Sequence, residues 1–186
     1  MSDNIQHLIK ACIRGERQAQ MQFFKLHNNY LFSICMKYMQ DRNEAEEALQ
    51  DAWIDIFKSL KNYKDEGKVQ GWLKTITLRT CWKAIRKRSK VQDLDAAHHL
   101  SGPSVNDQVM DKMTCDEVLE LLVFLPAASR QVFKMYVLDE YKHEEISKIL
   151  EITTSTSRAH LAKARKLLRG KFERLNKIAH NGLKAI

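Results

Sequence analysis

The stretch EISKILEITTSTSRAHLAKARKLLRGKF, residues 145–172, admits few folds. Ile146, Ile149 and Leu150 recur at helical spacing and make one apolar face of a short helix. Glu151, Ile152, Thr153 and Thr154 then form a corner, with Ile152 pointing into the core. Thr153 is a good cap for the next helix, because its hydroxyl can accept from a backbone N–H of the first turn. Beyond the corner, Leu161, Ala164, Leu168, Phe172 and Leu175 share one face of a second helix, and Arg158, Ala159, Ala162, Lys163, Lys166 and Arg169 lie toward the other. Two helices crossing through such a turn make a helix-turn-helix, whose second helix enters the major groove N-terminus first. A helical hairpin with a merely basic exterior shows the same spacing, so the stretch alone leaves both open.

The remainder of the chain is helical in pattern too. With two Pro and six Gly in 186 residues, the composition favours helices over sheets. Ile5, Leu8, Ile9, Cys12 and Ile13 mark a first helix that stops at Gly15. A second covers about residues 17–39, and a third runs to about Leu60, with Asp41 as its cap and Glu44 closing a capping box. Trp72, Leu73, Ile76, Cys81 and Ile85 carry a fourth into the basic IRKRSK. Periodicity fails from residue 89 to about 110, where Gly102-Pro103 breaks a polar run. Helices resume at Met113–Leu125 and Ser129–Leu138. The expected architecture is all-α: two small helical domains, residues 1–90 and 112–186, joined by a flexible linker over 91–111.

Charge is segregated along this frame. The net charge is +8. Residues 74–90 hold seven Lys or Arg and no acid, and residues 153–186 hold nine against Glu173 alone. Residues 41–57 reverse the sign, with six acids against Arg42. A solvated helix surface usually mixes its signs, so two basic patches and one acidic face tilt the reading toward a polyanion. No secretory signal and no apolar run of membrane-spanning length is present, which predicts a cytoplasmic protein with no membrane insertion. The four cysteines are scattered without a CxxC and read as buried free thiols. His98 and His99 lack a second Cys/His pair, so they are expected to be solvated, with no metal and no cofactor.

The two basic patches suit different chemistry. On the second helix of the helix-turn-helix, small Ala159 and Ala162 allow close approach to bases, and Arg158 and Lys163 can reach base edges or phosphates. Thr153, Thr154, Ser155 and Thr156 offer hydroxyls and helix-end N–H groups to a phosphate. In the front half, Lys74, Arg79, Lys83, Arg86 and Lys87 supply cations for a single-stranded backbone. Trp72 and Trp82 could supply stacking faces, although a Trp at apolar helical spacing is more often core.

The stretches RGERQAQMQFFKLHNNYLFSIC, DRNEAEEALQDAWIDIF, GWLKTITLRTCWKAIRK and LPAASRQVFKMY, with the helix-turn-helix after them, are each degenerate. In this order and spacing they resemble the sigma-70 family of bacterial transcription initiation factors, specifically its small two-domain extracytoplasmic-function group, from about Ile5 to Phe172. The resemblance implies a non-enzymatic RNA polymerase sigma factor that binds core polymerase and directs promoter-specific initiation. Residues 1–90 would be a region 2-like domain and 112–186 a region 4-like domain. Glu44, Glu47, Leu49, Gln50, Asp51 and Trp53 would dock on the β′ clamp helices, and the helices around Val132, Phe133 and Tyr136 would meet the β flap. Trp72, Lys74, Arg79, Lys83, Arg86 and Lys87 would open and hold the −10 element. Thr153, Ser155, Thr156, Arg158, Ala159, His160, Ala162, Lys163 and Lys166 would face the promoter −35 element. An anti-sigma factor is the further partner implied.

Four positions depart from the family pattern. Glu151 stands where the corner usually has Gly, and a positive φ there would strain Glu. Ser157 replaces an apolar residue, Arg79 a frequent Asn, and Lys142 a common Ser cap. Two other classes compete with the sigma reading. A conventional helix-turn-helix regulator would bind duplex DNA without being a polymerase subunit, and a helical adaptor would bind only proteins. The acidic third helix and the second basic patch argue against the regulator, and sequence-selective DNA binding would exclude the adaptor.

Overall fold

The computed structural model describes residues 2–64, 68–92 and 121–182, and among them are seven α-helices and no strand. The chain divides into two compact units, Met1–Lys87 and Arg88–Ile186. No helix among the described residues is long and apolar enough to cross a membrane.

The first unit holds α1 (Ser2–Ile13), α2 (Arg17–Tyr38), α3 (Arg42–Ser59), a 3₁₀ turn over Leu60–Asn62, and α4 (Val69–Gln92). Helix α1 ends at Gly15, whose φ of 83° lets its N–H reach the Cys12 carbonyl while the Glu16 N–H reaches Ala11. Asp41 caps α3 by accepting from the Glu44 N–H at 2.9 Å. The reciprocal bond of the expected capping box lands one residue early, on the N–H of Gln40 rather than that of Asp41. The core of this unit is aromatic where α2 meets α3. Phe23 is fully buried and lies edge-on to Trp53, and Trp53 stacks on Phe57 at 5.4 Å between ring centroids. Cys12, Cys35 and Cys81 are free thiols buried in the same unit. The Cys81 thiol is pushed up, first by its hydrogen bond to Cys35 and then by burial, so it stays protonated at physiological pH.

The second unit has a 3₁₀ turn at Leu122–Phe124, α5 (Ala127–Phe133), α6 (His143–Leu150) and α7 (Thr154–Gly182). Pro126 precedes α5, and the Arg130 guanidinium gathers the carbonyls of Val123 and Leu125 at 2.8 and 3.0 Å. The single helix expected over Ser129–Leu138 is two structures. After Phe133 the backbone widens into a π-helical segment, Lys134–Leu138, and the Asp139 N–H bonds five residues back to Lys134. Lys142 stands at the cap position before α6, and its side chain cannot accept a hydrogen bond; Glu145 instead accepts from the Lys142 N–H at 2.8 Å. Helix α7 packs on both α5 and α6, and Leu161, Ala164 and Leu168 of α7 are buried, as are Val132 and Phe133 of α5 and Ile146 and Leu150 of α6.

The expected linker, 91–111, lies outside the described residues except for Val91 and Gln92, which continue α4. His98, His99, Cys115 and most of the helix expected at Met113–Leu125 also lie outside them, as does the side chain of Leu175.

Candidate nucleic-acid and protein interfaces

The corner between α6 and α7 is made by Glu151 at φ 54°, ψ 44°, the left-handed region. Its N–H and that of Ile152 both return to the Ser147 carbonyl, closing the end of α6. This is the conformation the corner demands, held by a residue with a Cβ. Ile152 is half-buried. Thr153 Oγ1 accepts from the Thr156 N–H at 3.0 Å and lies 2.8 Å from the hydroxyls of both Ser155 and Thr156. The hydroxyl cluster foreseen at the start of α7 is therefore assembled, and its first duty is capping.

From this cap α7 sorts its side chains sharply. Arg158, Ala159, Ala162, Lys163 and Lys166 are exposed, and Ser157, Leu161, Ala164 and Leu168 are buried. The exposed set is a strip of alternating cationic and methyl groups, and its two alanines leave the backbone approachable. His160 does not join it. Its Nδ1 lies 3.3 Å from the Ser129 hydroxyl on α5, and burial followed by the charge of Lys163 lowers its pKa. Arg169, expected on the outer side, is 9% exposed. Its long apolar stem lets it lie against the core, a behaviour that residue type conceals in a helical projection.

Ser157, the departure from the apolar pattern, is fully buried and meets His143 Nδ1 at 2.8 Å. The His143 ring in turn stacks on Tyr136 of the π segment, with centroids 4.5 Å apart. A hydroxyl in that place is satisfied, which is what its burial requires.

On α4 the structure groups most of the expected cations. At about 100° per residue, Trp72, Arg79, Lys83, Arg86 and Lys87 fall on one side, and the buried Leu73, Thr77, Leu78, Cys81 and Ile85 on the other. Lys74 falls with the buried side and does not extend the strip. Lys83 reaches Asp55 Oδ2 on α3 at 3.3 Å, with Thr80 Oγ1 at 3.5 Å from the same oxygen. Trp72 is half-buried against Tyr63, their centroids 5.0 Å apart, so part of its ring remains accessible. Trp82 is buried and offers no stacking face.

Helix α3 divides the expected docking set between its buried and exposed sides. Leu49 and Trp53 are turned into the core, because Trp53 fills the gap between Phe23, Phe24 and Phe57 and its Nε1 donates to Asn28 Oδ1. Glu47, Gln50 and Asp51 are exposed, and Glu44 is half-buried at the cap. Ile54, outside the expected set, is 51% exposed and in line with Glu47, Gln50 and Asp51 at helical spacing. Its apolar character within an otherwise polar strip is what sets it apart in the sequence. In the second unit, Val132 and Phe133 are buried in the core, and Tyr136 is half-buried against His143. Among the described residues of that unit the exposed large apolar groups are Val123, Phe124 and Val137, with Lys171 Nζ 4.1 Å above the Phe124 ring.

These features coincide with known families. Residues 23–91 match the Sigma-70 region 2 model and residues 115–168 the Sigma-70, region 4 model. The chain is 24% identical over 163 residues to the ECF RNA polymerase sigma factor SigM of Mycobacterium tuberculosis, covering 85% of this chain and 79% of that protein. It is 23% identical over 177 residues to the ECF RNA polymerase sigma factor SigW of Bacillus subtilis, covering 89% and 95%. In fold it is similar to the sigma factor RpoE from Bartonella quintana, solved with the anti-sigma factor NepR, with a TM-score of 0.52, 19% identity, and coverage of 82% and 96%. Two family models matching in the order of the two helical units place the chain in the sigma-70 family, among its extracytoplasmic-function sigma factors.

Proposed function

We propose that this protein is an RNA polymerase subunit of the extracytoplasmic-function type, which binds core polymerase and directs initiation at its own promoters. One observation carries the reading: a single chain presents an acidic strip on α3, a basic strip on α4 and a basic, alanine-bearing strip on α7. A duplex-binding regulator has no use for the first, because carboxylates repel the phosphate backbone.

In this reading Glu47, Gln50, Asp51 and Ile54 contact the clamp helices of core polymerase, with Glu44 at the edge of that contact. Arg79, Lys83, Arg86 and Lys87 hold the phosphates of the opened −10 strand, and Trp72 gives an unpaired base a stacking face. Arg158, Ala159, Ala162, Lys163 and Lys166 face the −35 element. The hydroxyls of Thr153, Ser155 and Thr156 at the start of α7 meet a phosphate there. The protein positions and traps DNA while the polymerase performs the chemistry, so its role is non-enzymatic and cytoplasmic. An anti-sigma partner would silence it by covering these strips, and capture of such a partner by the tagged protein from its native host tests that part.

The deciding experiment adds the purified protein to sigma-free core polymerase on a genomic promoter library. Discrete transcript starts sharing two spaced upstream motifs are expected. Firm binding to duplex DNA without association with core would transfer the chain to the conventional regulators.

A further inference from the structure

Two consecutive residues of α6 meet two consecutive residues of α7. His143 Nδ1 and Ser157 Oγ are 2.8 Å apart, and one step outward Glu144 Oε1 lies 3.6 Å from Arg158 Nη2. The inner pair is sheltered: Ser157 is fully buried, and the His143 ring is pinned against Tyr136. It fixes the register of the two helices at the level where the outer pair sits. The outer pair stands in solvent, with side chains 61% and 63% exposed.

An exposed ion pair of this kind adds little to stability. Its effect is directional. Arginine has a long stem and a planar fork, and an unrestrained guanidinium next to DNA can settle on any nearby phosphate or on a base edge. A carboxylate beside it holds the fork in one sector and repels a phosphate from that sector. The free fork edge is then left for an acceptor pair such as guanine O6 and N7. The carboxylate is itself favoured where it stands, in the first turn of α6.

We infer that Glu144 is a specificity-determining positioning residue, which restrains Arg158 toward one base pair of the −35 element and keeps it off the backbone. The inference rests on the reading of α7 as the −35 helix. Among the described residues, no ion pair with α6 restrains Lys163 or Lys166, and these two keep the role of backbone contacts.

The test uses reconstituted holoenzyme on a library randomised across the −35 element, comparing the wild type with Glu144→Gln, Arg158→Ala and the double variant. Arg158→Ala should lower discrimination at one base position by about tenfold. Glu144→Gln should lower discrimination at that same position at least about threefold, while overall duplex affinity at low salt rises and its salt dependence steepens. In the Arg158→Ala background, Glu144→Gln should change nothing at that position. A Glu144→Gln profile identical to wild type, alongside a relaxed Arg158→Ala profile, overturns the inference and spares the α7 reading. Equal effects of Glu144→Gln with and without Arg158 overturn it as well. If Arg158→Ala leaves every −35 preference unchanged, the α7 reading itself falls and takes the inference with it. Position-specific preference separates orientation from folding, since a loosened helix pair would weaken all positions together.

Discussion

Trp53 Nε1 donates to Asn28 Oδ1 at 3.0 Å, tying α3 to α2 through a part-buried hydrogen bond. The indole sits where a family-based reading expects a polymerase contact, yet its partners are Phe23, Phe24 and Phe57 of its own unit. Asn28→Ala leaves the N–H unpaired and should cost about 1–3 kcal/mol of stability, read as a lower urea midpoint. Trp53→Phe should make the Asn28→Ala penalty smaller, because the orphaned donor is gone. Charge reversal at Glu47 or Asp51 should weaken core-polymerase binding without moving the midpoint.

Glu151 holds a left-handed conformation with a Cβ. That region costs roughly 1–2 kcal/mol for an L-residue, partly offset by the extra freedom glycine has when unfolded. Glu151→Gly should therefore raise stability by about 0.5–1 kcal/mol, and Glu151→Val, β-branched, should lower it. Thermal denaturation monitored by circular dichroism distinguishes the two.

His27 is buried beside the Phe23 ring, 4.8 Å between centroids, and its Nε2 has no hydrogen-bond partner. Burial lowers its pKa below the ordinary value of 6.5. Because the folded-state pKa lies below the unfolded one, the stabilisation is complete above 6.5 and is lost as pH falls through the folded value. The urea midpoint of the first unit should drop between neutral and mildly acidic pH. His27→Gln should flatten that dependence, since the amide does not titrate.

Lys166 projects from the exposed side of α7 with no base-reading partner beside it, so Lys166→Ala should weaken −35 duplex binding alike for all sequences. The slope of log affinity against log salt should fall by about 1. Lys163→Ala should likewise impair −35-dependent transcription and leave core binding intact, checked by co-purification with polymerase.

Much of this was legible from spacing alone. The starts of α3 and α7 follow from their caps, Asp41 and Thr153, the extent of α2 follows from its apolar period, and the strain at Glu151 follows from the absence of glycine in a corner that needs it. What periodicity could not separate was which face of a contact-bearing helix is turned inward. Leu49 and Trp53 sit within a motif read for partners, yet large apolar groups on a helix beside an aromatic cluster gain more from burial than from waiting for one. The π segment was equally hidden. Five residues are too few to distinguish a widened turn from an α-turn, and Val132, Phe133 and Met135 are buried in either case. Arg169 misled for the opposite reason, because its charge advertises solvent while its stem does not require it.

All three tryptophans, Trp53, Trp72 and Trp82, belong to the unit Met1–Lys87. Tryptophan emission is consequently a built-in optical probe of that unit alone. Trp53 and Trp82, both buried, report melting of that half, whereas Trp72, half-open beside Tyr63, sits on the α4 strip and should be quenched when a base stacks on it. If α4 takes up an unpaired strand as proposed, that step can be tracked in real time in the unlabelled protein under excitation selective for tryptophan. The unit that carries the helix-turn-helix, with tyrosines but no tryptophan, does not respond to it.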